Sequence, residues 1–178
     1  MVGRPRKKGK REPNGRIART YVNPRKQVAS QPHRMSVPKN FREREEAESE
    51  FGRLMLNGRI TPAQYEAGRR YRALVSRFRA IYGLPSPDPR ALDLMRTMGG
   101  YGGETSQAIV DVVRKEYDAA FCASGSAGNA AQRAVNAHAV FDKPVLDTYA
   151  LNLLISGLNK LVVHFNIDPS LRISACQK

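Results

Sequence analysis

The residues Thr61-Pro62-Ala63-Gln64 constrain this chain more than any others. A threonine hydroxyl can accept from the backbone N–H three residues on, and the glutamine side chain can return a bond to the threonine N–H. Proline suits the first helical position, where no N–H is needed. Gly83 supplies the matching stop, because glycine tolerates the positive φ of a helix C-terminus. A helix over 61–82 is therefore predicted. At about 100° per residue, Tyr65, Gly68, Tyr71, Leu74, Val75, Phe78, Ile81 and Tyr82 fall on one side. Arg69, Arg70, Arg72, Arg77 and Arg79 fall on the other. A helix so divided must bury its aromatic side and leave its arginines to water or to a partner.

The flanking sequence repeats the helical period. Asn40 is expected to cap a helix whose first turns are acidic and whose Phe51, Leu54 and Met55 face inward, ending at Asn57-Gly58. Asp88-Pro89 is expected to open a short helix through Met98, and Gly99–Gly103 reads as a flexible loop. Thr105 or Ser106 caps a helix to about Ala123, with Ile109, Val112, Val113, Tyr117, Ala120 and Phe121 inward. An alanine-rich helix runs from Asn129 to about Phe141 and must end before Pro144. Asp147 or Thr148 caps the last helix, with Leu151, Leu154, Ile155, Leu158, Leu161, Val162 and Phe165 spaced for burial. Little alternating apolar pattern appears. The body, residues 41–168, is expected to be an all-α bundle of about six helices, followed by a flexible C-terminal tail, 169–178.

Residues 1–40 hold most of the excess charge: twelve Lys/Arg against Glu12, a net +11, within a chain of +14. Proline recurs at Pro5, Pro13, Pro24, Pro32 and Pro38 and leaves little room for regular structure. Such a segment cannot bury enough apolar surface to offset the entropy of ordering it, so a disordered basic arm is expected. It suits a polyanion, because each cation that neutralises a phosphate releases condensed counterions. Arg4, Pro5, Arg6, Lys7, Lys8, Lys10, Arg11, Arg16 and Arg19 are the candidate DNA contacts. Gly3-Arg4-Pro5 resembles the centre of an AT-hook, with Val2 where that motif has its first arginine. The alternatives are a polybasic tail that touches phosphates without preference and a tail that binds acidic protein surfaces.

The arginine side of helix 61–82 is a possible second basic face, formed by Arg69, Arg70, Arg72, Arg77 and Arg79. The competing reading pairs these arginines with Glu43, Glu45, Glu46, Glu48 and Glu50 of the preceding segment. The helices around Pro144 have helix-turn-helix spacing, but the second offers Tyr149, Asn152 and then Lys160, a poor set for reading bases. Enzymatic chemistry has little support. His33, His138 and His164 occur singly, and Gly99–Gly103 lacks the lysine of a phosphate loop. Cys122 and Cys176 have neither zinc-ligand nor disulfide-framework spacing. No metal, no cofactor and no catalytic residue is expected. No run approaches the roughly 18 apolar residues of a membrane span, and no secretory signal is evident, so a cytoplasmic location without membrane contact is expected.

The stretch Gly58-Arg59-Ile60-Thr61-Pro62-Ala63-Gln64-Tyr65-Glu66-Ala67-Gly68-Arg69-Arg70-Tyr71-Arg72 resembles the "GxIxxxQxxAGxxxR" opening of a helical domain of unknown function in alphaproteobacteria and their phages. Leu154-Ile155-Ser156-Gly157-Leu158-Asn159-Lys160-Leu161-Val162-Val163-His164-Phe165 is similar to that family's closing "LxxALxxLAxHYG" helix. Gly157 and Val163 stand where the family has alanine, and Phe165-Asn166 where it has Tyr-Gly. The same type of domain forms the C-terminal part of the gene transfer agent transcriptional activator, which contacts RNA polymerase. The resemblance implies a helical fold, a phage or prophage setting, and a partner such as RNA polymerase or another phage or host protein. A non-enzymatic DNA-binding regulator is the leading expectation. The alternatives are a DNA-packaging component like a small terminase subunit, and an RNA- or ribosome-associated protein.

Overall fold

The computed structural model describes residues 23–87 and 106–170, with the single positions Pro13 and Arg16. Among these residues all regular structure is helical. The α-helices are α1 (Pro24–Ala29), α2 (Glu50–Leu56), α3 (Pro62–Ile81), α4 (Gln107–Gly125), α5 (Asn129–Val135) and α6 (Thr148–His164). Three short 3₁₀ turns, Pro32–Ser36, Lys39–Phe41 and Glu45–Glu48, lie between α1 and α2, and a π turn, Asn136–Val140, prolongs α5. The described residues hold six α-helices, of which α1 was not foreseen. The helix expected at 88–98 and the Gly99–Gly103 loop lie outside the described residues.

The capping box of α3 forms as the sequence predicts. Thr61 Oγ1 accepts from the Gln64 N–H at 3.2 Å, and Gln64 Oε1 accepts from the Thr61 N–H at 2.8 Å. At the far end Gly83 takes φ +64°. The Leu84 N–H then reaches back to the Arg79 carbonyl at 2.8 Å. Tyr71 is wholly buried at the centre of the helix, beside Ala67, Leu74 and Val75. α3 packs on α6 and on the π turn, and the same core holds Leu154, Leu158 and Leu161 of α6, Val135 of α5, and Ala139 and Val140 of the π turn. Two polar bonds from buried residues of α3 pin it to these neighbours: the Tyr71 hydroxyl donates to Asn136 Oδ1 at 3.2 Å, and Gln64 Nε2 donates to Asn159 Oδ1 at 2.8 Å. Burial pushes the Tyr71 phenol far above its ordinary range, so it stays a neutral donor.

α6 crosses α5 closely at Gly157. A methyl there would stand 2.5 Å from Val135 Cγ2 and 3.2 Å from the Ala131 carbonyl oxygen. This approach explains a glycine in a helix interior, where it otherwise costs about 1 kcal/mol relative to alanine.

α4 packs on α3 through aromatic rings: Phe78 and Tyr117 stack with centroids 4.0 Å apart, and Phe121 continues the stack. This seam corrects the expected inner face of α4. Val113 and Ala120 are buried as expected, and Ser124 joins them. Ile109 and Val112 are 53 % and 54 % exposed, and Phe121 is 37 % exposed. The stacked Tyr117 sets the helix's rotation, which turns Ile109 and Val112 outward.

The region before α2 differs most from expectation. The helix expected from Asn40 begins only at Glu50, with Ser49 as its cap; Ser49 Oγ accepts from the Gly52 N–H at 2.9 Å. A second, distant cap is added by Asp142, whose carboxylate accepts from the Phe51 N–H at 2.9 Å and the Glu50 N–H at 3.2 Å. Upstream, the backbone is organised by Arg34, which is only 6 % exposed. Its Nη1 donates to the carbonyls of Arg42 and Arg44 at 2.8 and 2.7 Å, and its Nη2 to Glu48 Oε2 at 2.7 Å. Those carbonyls are held in turns around a guanidinium instead of in a helical ladder. His33 Nε2 meets the same Glu48 oxygen at 3.2 Å.

The arm therefore does not extend to residue 40. Residues 23–40 belong to the folded body, and Val37 is 1 % exposed in its core. Pro24 occupies the first turn of α1, where proline is tolerated, and Asn23 Oδ1 accepts from the Arg25 N–H at 3.0 Å. Beyond residue 168, Pro169 and Ser170 form a turn, and 171–178 lie outside the described residues.

Three outcomes follow. Asp142→Ala removes two cap bonds and lowers stability by about 1–2 kcal/mol, read as a lower midpoint in urea. Leu158→Asp places a charge at a site of zero exposure, and loss of the cooperative melt in circular dichroism is expected. The hydrogen bond from Arg34 holds the Glu48 carboxyl below its ordinary 4.5. A depressed folded pKa contributes stability that is present above that value and is lost as pH falls through the folded pKa. Glu48→Gln should therefore flatten the acid limb of the melting profile below about pH 4.5; an unchanged limb would place its origin elsewhere.

Candidate nucleic-acid interface

The same segregation that buries the aromatic side of α3 lines up its arginines outside. Along the solvent face Ala73, Ser76 and Ala80 are small, so the helix surface between the arginines is low. Arg69, Arg70 and Arg77 are exposed, while Arg72 and Arg79 are partly buried along the side nearer α2 and the π turn. Glu66 sits within this face. Its carboxylate accepts from Arg69 Nε and Arg70 Nε, each at 2.9 Å. Burial works against the Glu66 charge, but the two guanidinium hydrogen bonds outweigh it and hold the carboxyl below its ordinary value. The same bond raises Arg69. The two shifts run in opposite directions, each favouring the charged form, as they must for an ion pair.

Arg77 lies 3.9 Å from Glu116 of α4, a Coulombic contact too long for a hydrogen bond. Arg79 donates from Nε to the Pro85 carbonyl at 2.6 Å, and its guanidinium lies 5.7 Å from the Phe141 ring centre. The expected pairing with the upstream acids takes a different form. Glu48 binds Arg34 and His33, and Glu50 binds Arg53. Glu45 and Glu46 act at longer range, through the field they exert on Tyr65; Glu45 also raises Arg69. Among the described residues Arg69 and Arg70 thus share Glu66, and Arg77 faces Glu116. Exposed pairs of this kind contribute about 0–1 kcal/mol each and are screened by salt. They leave the face positive and open to exchange with a stronger anion.

Among the arm candidates, Arg16 is exposed. Arg4, Pro5, Arg6, Lys7, Lys8, Lys10, Arg11 and Arg19 lie outside the described residues. In the body, the 3₁₀ turn Pro32–Ser36 packs on the turn Glu45–Glu48, whose Glu45 lies in the electrostatic reach of Arg69. Arg34 was counted among the arm's cations and is instead a structural residue. Glu116 was missed as a partner of Arg77, because it lies on another helix with no local signal linking the two.

The histidines are separate. His33 is engaged by Glu48, His138 Nδ1 meets the Lys143 carbonyl at 2.9 Å, and the His164 ring stands edge-on to Phe165. Cys122 is an exposed free thiol. Among the described residues no group of His, Cys, Asp or Glu is arranged to hold a metal, and no helix is long and apolar enough to cross a membrane. No protein-family model, curated protein or solved structure matches this chain.

Glu66→Gln removes the carboxylate shared by Arg69 and Arg70. The expected cost is below about 1 kcal/mol, while elution from a heparin column moves to higher salt. Unchanged elution would show that this face does not meet polyanions.

Proposed function

We propose that this protein is a non-enzymatic DNA-binding regulator of phage or prophage type. Its basic arm supplies most of the affinity, the arginine face of α3 adds a second contact, and the helical body docks a protein partner. The observation that carries the reading is the charge of residues 1–22. They hold eight Lys/Arg against Glu12, a net +7, and they precede the first helix, α1. With Arg34 assigned to the body, the arm is shorter than residues 1–40 but denser in charge.

A phosphate backbone fits both elements. The arm can follow a groove by exchanging condensed counterions for its own cations. The arginines of α3 present planar guanidinium groups that match phosphate geometry and carry their charge at every physiological pH. The partner-docking part of the proposal is supported by apolar side chains left exposed at and before the start of α6 and near its end: Leu146 at 89 %, Tyr149 at 71 % and Val163 at 78 %. RNA polymerase is the partner the family resemblance suggests, and a phage or host protein of another kind would use the same surface.

The test is duplex-DNA binding over a salt series, with the full chain and with residues 1–22 deleted. Six phosphate contacts, by Arg4, Arg6, Lys7, Lys8, Lys10 and Arg11, give a log–log slope of about −5. The deletion should reduce the slope to that of the α3 face alone and, because it spares α1 and the helices that follow, leave the melting temperature unchanged. Deletion to residue 40 would be a poor test, because it removes Arg34 and Val37 from the body. Equal affinities for the two chains would exclude the arm, and tighter binding to RNA at matched salt would favour the RNA-associated alternative.

A further inference from the structure

α3 and α4 run antiparallel, with Phe78 stacked on Tyr117 and Arg77 set against Glu116. Beside this stack both helices carry alanine, Ala73 on α3 and Ala119 on α4. Two short side chains cannot fill the space that two aromatic rings fill next to them. The helices therefore leave an open cleft of about 510 Å³, also lined by His164 and Phe165 at the end of α6. Its volume lies within the roughly 300–1,000 Å³ of small-molecule sites.

The lining is divided. Leu74, Ala73, Ala119 and the Phe165 ring form an apolar floor, and Arg70, Arg77, His164 and Glu116 form a polar rim. Among the described residues Arg70 bonds Glu66 through Nε alone. Its two Nη groups remain as donors at the rim. Arg77 stands 3.9 Å from Glu116, close enough for attraction and too far for a hydrogen bond. With Arg69, which shares Glu66 with Arg70, three guanidinium groups here face two carboxylates, Glu66 and Glu116, and the balance still favours an anion. The floor favours a flat apolar body. A phosphodiester strand suits the rim but not the floor, and a neutral hydrocarbon suits the floor but wastes the rim.

We propose that this cleft is a binding site for a small aromatic carboxylate, with its ring on Leu74 and Phe165 and its carboxylate between Arg70 and Arg77. The site shares Arg70 and Arg77 with the arginine face of the proposed function, but no arm residue takes part in it, so the naphthoate titration and the arm deletion can fail independently. Glu116 opposes the ligand's charge and so limits its affinity.

The test is calorimetric titration of the full chain with naphthoate and with its neutral analogue naphthalenemethanol. Naphthoate should bind at one saturable site per chain, and the alcohol at least about tenfold more weakly, because it forms no charge-assisted bonds. Ala119→Leu fills the cleft from an exposed position and should abolish naphthoate binding without lowering the melting temperature. Glu116→Gln removes the opposing charge and should tighten binding severalfold. The proposal is overturned if naphthoate gives no saturable heat, if both compounds bind equally, or if Ala119→Leu binds naphthoate like the parent chain.

Discussion

The fold depends on how α3 is held, and α3 is held by polar groups as much as by apolar ones. Its inner side is aromatic and small, which supplies the area, but apolar area alone would tolerate several rotations of the helix. Gln64 bonded to Asn159 and Tyr71 bonded to Asn136 admit only one. Each bond joins α3 to a different neighbour, α6 in one case and the π turn in the other. A buried polar group that loses its partner is costly, so these bonds penalise every other register. The outward arginine face follows from this fixed rotation, and so does the level at which Ala73 meets α4.

Arginine plays two physical parts in this molecule. Arg34 and Arg53 are buried and spend their donors on backbone carbonyls: Arg34 on those of residues 42 and 44, Arg53 on those of residues 47 and 48. They act as struts for a segment too short and too charged to form a core of its own. Arg69, Arg70 and Arg77 of α3 are solvated, paired with carboxylates at the surface, and free to exchange those partners. Composition cannot separate the two roles, because the side chain is the same. Only burial and the identity of the acceptor separate them.

Most of the body was legible in the sequence. The capping box, the glycine stop at Gly83, Asp147 as the cap of α6 and the buried leucines of that helix are local or periodic signals, and each occupies the expected place. The misreadings share one cause. The start of α2, the rotation of α4 and the end of the arm all depend on a residue far away: Asp142 for the first, Phe78 for the second, the carbonyls gathered by Arg34 for the third. The candidate basic face was legible as a list of arginines. Its partners were not, since Glu116 has no sequence relation to Arg77. The cleft was not legible at all, because it arises from two alanines that meet only when the helices pack.

The sequence by itself determined that this chain is helical, where its longest helices begin and end, and which side of α3 must be buried, because capping and periodicity act within a few residues. The tertiary structure alone decided where the basic arm stops and which carboxylates answer the arginines. It also decided where two helices part to leave a cleft. Those outcomes depend on groups brought together across long stretches of chain, and no local pattern encodes such a meeting.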